Sequence, residues 1–324
     1  MNDNVLITGG AGFIGSHLCE KFVNEGFKVI VIDNLFRGKR ENIEHLMLKG
    51  QVELIELDLS DFINIETLAE VLANHNPSKI LHYAAINGTQ YFYDIPEKVA
   101  EVNSLSTIYL LKAIEICKNK GANFKPLIVF ASTSETYGEP FSLPTSEKDL
   151  TYIRIDNDRD SYAVAKIMSE FYVKLFSKKM GLNWIILRIF NVYGPKMIGT
   201  KYGQVIPEFV NRLKSGEYPL KIFGDGSHTR SFIHISDHVE LTYRLIHSPN
   251  LKLDEVYNLG NTDEISIAHL ANKLMNLMGL DPKLKFLKER SGDHKKRVPD
   301  ITKLENVVGK YDFISLNEGL KSLI

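Results

Sequence analysis

Asn4-Val5-Leu6-Ile7-Thr8-Gly9-Gly10-Ala11-Gly12-Phe13-Ile14-Gly15 opens the chain, and Lys28-Val29-Ile30-Val31-Ile32-Asp33 follows a helical pattern that runs through Phe22-Val23. The first residues read as a short apolar strand, the glycines as a tight turn and Phe13 as the start of a helix. Together these make an anion site: Gly9, Gly12 and Gly15 let the backbone approach a pyrophosphate, and the helix N-terminus at Phe13 and Ile14 favours its charge. The spacing is GxxGxxG rather than GxGxxG, which alone would mark only a turn. Its context adds Asp33, 18 residues beyond Gly15 and followed by Asn34. A carboxylate there accepts hydrogen bonds from an adenosine ribose and repels a 2′-phosphate, which favours NAD over NADP, with Arg37 and Lys39 close by.

Working outward, the alternation continues with strand-like Val52 to Leu57, helix-like Ile63 to Leu72, strand-like Lys79 to His82, helix-like Val99 to Cys117 and strand-like Leu127 to Phe130. This predicts an α/β fold, a doubly wound parallel sheet of Rossmann type with ligands at the strand carboxyl ends. Asp58, Ala84, Ala85, Ser132 and Tyr162 fall near that edge; Asp58 has the alternative of capping the helix that begins near Asp61. The length of 324 residues holds one large domain or two unequal ones. The expected division is 1–190 for the cofactor, with some later segments returning to it, and 191–324 for a smaller α/β substrate lobe.

A net charge of -1 with 24% charged residues gives no basic excess for nucleic acid. Met1-Asn2-Asp3 leads straight into the first strand, and no apolar run is long enough to span a bilayer, so a soluble cytoplasmic protein with no membrane partner is expected. Cys19 and Cys117 lie far apart without partnering histidines, which reads as buried thiols and no metal site. His234 and His238 are four apart, but across a strand-to-helix boundary.

Ala131-Ser132-Thr133-Ser134-Glu135-Thr136-Tyr137-Gly138 places hydroxyls and a carboxylate after an apolar run, and Ser161-Tyr162-Ala163-Val164-Ala165-Lys166 sets a tyrosine one helical turn before a lysine. Of the 14 tyrosines, Tyr162 alone has a lysine four residues on. An ammonium and a cationic nicotinamide would lower the phenol toward neutrality and make Tyr162 a general base for a sugar hydroxyl as hydride leaves the same carbon.

Thr8 to Gly15, Asp58-Leu59, His82-Tyr83-Ala84-Ala85, Asn103 and the Tyr162/Lys166 pair resemble the extended short-chain dehydrogenase/reductase family, in its nucleotide-sugar epimerase, dehydratase and decarboxylase branch, over nearly the whole chain. The resemblance implies NAD as cofactor, a nucleoside-diphosphate sugar as substrate and oxidation of the sugar 4-hydroxyl. It places the Asp58 side chain and Leu59 backbone on adenine, Ala84, Ala85 and Asn103 along the cofactor, and Thr133 on the reacting oxygen beside Ser132 and Ser134. Glu135 resembles the glutamate of 4,6-dehydratases and UDP-glucuronate decarboxylases, where a carboxylate serves a step at carbon 5 after the ketone forms. Asn191, in Arg188-Ile189-Phe190-Asn191-Val192-Tyr193-Gly194-Pro195, is implied at the diphosphate, as are Arg230 and Arg290, with Val205 opening a nearby helix. Ala131 to Pro140, Arg188 to Met197 and Gly224 to Phe232 are most similar to the decarboxylases. The loop Ile86-Asn87-Gly88-Thr89-Gln90-Tyr91-Phe92-Tyr93 departs from their proline-rich pattern, and its Asn87 and Thr89 are candidates for reading the sugar. Decarboxylation or 4,6-dehydration is expected after oxidation, with 4-epimerisation or simple dehydrogenation as alternatives; a non-catalytic NAD-binding module is the reading of another class. The family usually dimerises through helices corresponding to Val99–Cys117 and Asp160–Lys178, so a homodimer is implied.

Overall fold

The computed structural model describes residues 3–121, 124–199, 204–288 and 296–324. Strand β1 (Asn4–Thr8) turns into α1 (Phe13–Asn24), followed by β2 (Lys28–Asp33), a short α2 (Glu44–Met47), β3 (Val52–Glu56), α3 (Ile65–His75), β4 (Lys79–His82), a one-turn α4 (Tyr91–Asp94) and α5 (Pro96–Asn119). Then come β5 (Leu127–Thr133), α6 (Ser161–Met180), β6 (Trp184–Ile189), β7 (Val192–Tyr193), α7 (Val205–Lys214), β8 (Leu220–Phe223), β9 (Thr229–Ser231) and β10 (Ile233–His234). The chain closes with α8 (Ile235–His247), β11 (Glu255–Leu259), β12 (Glu264–Ser266), α9 (Ile267–Leu277), β13 (Leu284–Leu287), α10 (Thr302–Val308) and α11 (Leu316–Lys321).

Seven strands form one sheet in the order β11-β6-β5-β4-β1-β2-β3, every neighbouring pair parallel. The strands are almost continuously apolar because both faces are covered: Val5, Ile7, Val29 and Val31 pack toward α1 and α8, while Leu6, Ile30, Ile32 and Ile80 pack toward α3 and α5. Chain order reverses between β1 and β4, which opens a crevice at the carboxyl edge. The seventh strand, β11, comes from beyond residue 190 and pairs with β6, and α8 packs on α1. A separate core of Phe209, Leu213, Leu220, Ile222, Leu270, Leu274 and Leu320 joins α7, α9 and α11 with the β8/β13 pair into a smaller lobe.

Helix α3 starts at Ile65 because a tight turn at Phe62–Asn64 precedes it, and Asp61 caps that turn by accepting from the Ile63 amide. Asp58 is thereby left for other work. Helix α6 is inverted relative to an ordinary surface helix. Tyr162, Lys166, Ser169, Glu170 and Ser177 are buried, whereas Val164, Met168, Phe171 and Leu175 form an apolar stripe exposed by 43–58%.

Candidate active site

A cavity of about 860 Å³ lies along the carboxyl edge, running from the glycine turn to Glu135. Gly9 sits at φ +70°, and a Cβ there would stand 2.8 Å from the Ala84 Cα, so this turn demands glycine. Gly15 lets α1 approach the turn, since a Cβ would meet the Gly9 carbonyl oxygen at 2.1 Å. Gly12, Phe13 and Ile14 line the cavity at the helix start, and this cradle suits a pyrophosphate. Asp33 lines it too, with its carboxylate accepting from the Ala11 amide at 3.0 Å and the Leu35 amide at 2.9 Å. Burial raises its pKa, against the pull of those two amides. Asp58 accepts from Ser60 N at 2.8 Å, Ser60 Oγ at 2.6 Å and Asn34 Nδ2 at 3.0 Å. Burial opposes them, yet these hydrogen bonds hold Asp58 below the usual carboxylate range.

At the other end, β5 delivers Ser132, Thr133, Ser134 and Glu135 to the wall, facing Tyr162 and Lys166. Thr133 Oγ1 caps the following turn by accepting from the Glu135 amide at 3.2 Å. Lys166 is 1% exposed and donates to the Ala131 carbonyl at 2.8 Å. Its pKa falls to about 7 through burial, partly offset by Glu170. Tyr162 moves the opposite way from the sequence expectation: burial and the Glu135 carboxylate push it above the ordinary phenol value, with Arg37 pulling back. The expectation counted cations near the phenol and omitted its desolvation, which is the larger effect. Behind Ser132, whose hydroxyl donates to Glu170, Arg188 pairs with Glu170 through two bonds of 3.1 and 2.8 Å.

Glu135 is held by two buried arginines. Arg159 donates to Oε2 at 3.0 Å, and Arg297 approaches Oε1 at 2.6 Å. Arg159 is 5% and Arg297 2% exposed. The Nε and Nη2 of Arg297 are buried with no hydrogen bond among the described residues. Two guanidiniums against one carboxylate leave one positive charge behind the catalytic wall.

The model of the NAD dependent epimerase/dehydratase family matches residues 5–260. The chain belongs to this family. UDP-glucuronic acid decarboxylase 1 of Xenopus tropicalis is 33% identical over 321 residues, covering 99% of this chain and 71% of that protein. UDP-N-acetyl-alpha-D-glucosaminuronate decarboxylase of Bacillus cytotoxicus is 34% identical, covering 100% and 97%. Among solved structures, UDP-glucuronic acid 4-epimerase from Bacillus cereus, in complex with UDP-glucuronic acid and NAD, superposes with a TM-score of 0.85 at 29% identity, covering 98% and 97%. The resemblance read from the sequence, the doubly wound fold, the dependence on NAD and the enzyme class all stand with these relatives.

Other expected family residues divide by position. Leu59, Ala84, Ala85, Asn87 and Asn191 line the cavity. Asn103 stands one layer back, where its amide accepts from Ile86 N at 2.8 Å and donates to Ile86 O at 3.0 Å, so it shapes the loop over the cofactor. Thr89, Val205 and Arg230 are not on the cavity wall among the described residues; Gln204, Met197 and Asn211 are. Arg230 donates to its neighbour's carbonyl at Thr229 and lies in the β9/β12 pair. Arg290 lies outside the described residues. His234 caps α8 by accepting from Ser236 N, and His238 is fully buried near the Tyr83 hydroxyl. Sequence reasoning missed Arg159 and Arg297. The first stands three residues before Tyr162 and had a local signal; the second is 162 residues from Glu135 and had none. No helix among the described residues is long and apolar enough to cross a membrane.

Proposed function

We propose that this enzyme decarboxylates a UDP-linked uronic acid sugar after oxidising its 4-hydroxyl. The observation that carries the reading is the Arg159–Glu135–Arg297 cluster beside Tyr162. Its excess positive charge suits a substrate bearing a carboxylate, and the unspent donors of Arg297 add hydrogen-bonding capacity there. Both oxygens of Glu135 are committed to guanidiniums, which disfavours its use as the carbon 5 base that a 4,6-dehydration needs. The two decarboxylase relatives support the same choice.

NAD, when bound, accepts the hydride from carbon 4 and later returns it. Tyr162 takes the 4-hydroxyl proton, Thr133 orients that oxygen, and Lys166 holds a proton beside the phenol. The resulting ketone is β to the carboxylate. The carbon 5–carbon 6 bond then breaks to release carbon dioxide, and its electron pair passes into an enolate that the cationic cluster stabilises until carbon 5 takes up a proton. Asp33, Asp58 and the glycine turn hold the adenosine side, while the α7/α9 lobe, from the 191–324 part, covers the sugar nucleotide.

Mass spectrometry of the products from UDP-glucuronate and UDP-N-acetylglucosaminuronate tests this. Loss of carbon dioxide is expected; an isomer or loss of water sinks the reading. We also infer a homodimer, because the Val164–Leu175 stripe on α6 leaves four apolar side chains exposed on a helix packed against α5. Two buried, unbridged thiols suit a reducing cytoplasm.

A further inference from the structure

The loop from Ile86 to Asp94, where the sequence leaves the decarboxylase pattern, ends in the single turn α4. Its Phe92 is 3% exposed and lies on the Tyr162 ring, with centroids 5.0 Å apart and planes 12° from parallel. With Ile86 and Val99 the two rings make a small core of their own, apart from the sheet and lobe cores. The loop is anchored on several sides. Asn103 ties down Ile86. From the turn after β2, the Phe36 ring stands 5.9 Å from that of Tyr91, and the Arg37 guanidinium lies over the Tyr91 ring at 5.2 Å. The turn Asp158–Asp160, which carries Arg159, packs against α4.

We propose that Phe92 is a positioning residue for Tyr162. The inference rests on Tyr162 being the base of the oxidation step. Tyr162 Oη lies on the ring axis, so rotation about χ2 leaves it in place, whereas a swing about χ1 carries it away from the sugar hydroxyl. A face-to-face neighbour blocks that swing and keeps water off one face of the phenol. Displacing a reacting group by about 1 Å costs on the order of a hundredfold in rate. The charged groups facing Tyr162 are Glu135 after β5, Arg37 from the β2 turn and Lys166 on α6. None of them restrains the ring plane as Phe92 does.

The test compares Phe92→Met, which keeps volume and loses the ring, with Phe92→Tyr, which keeps the ring. Product formation is followed at saturating NAD as a function of UDP-sugar concentration and pH. Phe92→Met is expected to lower kcat by about 10- to 100-fold with KM nearly unchanged. It should also move the acid limb of the pH profile to lower pH, because water reaching the phenol relieves the burial that holds its pKa up. Phe92→Tyr should retain both. If Phe92→Met does not fold, Phe92→Leu makes the same comparison. A kcat within about threefold of wild type, or a fall without movement of the acid limb, overturns the positioning role while leaving the oxidation chemistry intact. A wild type that acts on no UDP-sugar overturns the function itself and the role of Phe92 with it.

Discussion

Replacing Glu170 by glutamine removes one half of an ion pair whose members are each 9% exposed. Arg188 keeps its charge, since the planar guanidinium does not release its proton in a protein. Its Nη1 already lacks a hydrogen bond among the described residues, and the substitution replaces a two-bond carboxylate by a neutral amide. Breaking a buried pair from one side costs about 3–5 kcal/mol, because the remaining charge is left uncompensated. With an m of about 3 kcal/mol/M, the urea midpoint should fall by about 1–2 M. Arg188→Met in the Glu170→Gln background removes the stranded charge and should recover most of the loss, so the double-mutant cycle is strongly non-additive. The site should register the change as well. Glu170 sits one turn beyond Lys166 and raises its pKa against burial, so the variant's Lys166 should lose its proton at lower pH than in the wild type. A loss below about 1 kcal/mol, or additive single variants, would refute the view that a stranded arginine sets the cost.

Tyr162→Phe should abolish hydride transfer while NAD still binds, and turnover within about tenfold of wild type by NADH absorbance would show that another group is the base. Glu135→Gln should leave the oxidation half-reaction and stop the carbon 5 step; equal loss of both, followed by NADH formation and product mass, would make Glu135 structural. With Lys166 drawn down to about 7, the unfolded chain binds more protons than the native one from that pH up to the ordinary lysine value. Stability should therefore rise with pH across that window, and Lys166→Met should flatten the slope in urea titrations. Phe171→Glu places a charge in the α6 stripe and should convert a dimer to monomer by light scattering; an unchanged mass would remove that stripe from the interface.

The cofactor half was legible because its determinants are local. Gly9, Gly12, Gly15 and Asp33 occupy a strand-turn-helix-strand unit in which spacing along the chain fixes spacing in space. Tyr162 and Lys166 share a helix face for the same reason. The sugar half was legible only in part: Asn87 and Asn191 line the cavity while Thr89, Val205 and Arg230 do not, because loop residues take their direction from packing that no periodicity encodes.

Sequence alone thus determined the order of strands and helices, the parallel sheet and the pairing of a dinucleotide turn with a tyrosine base, all short-range consequences of apolar period and glycine position. Tertiary structure decided the rest. It brought Arg297 onto Glu135 and laid Phe92 on Tyr162. It also raised the phenol's pKa where nearby cations alone would lower it, since burial and long-range charge depend on what the fold places around a side chain.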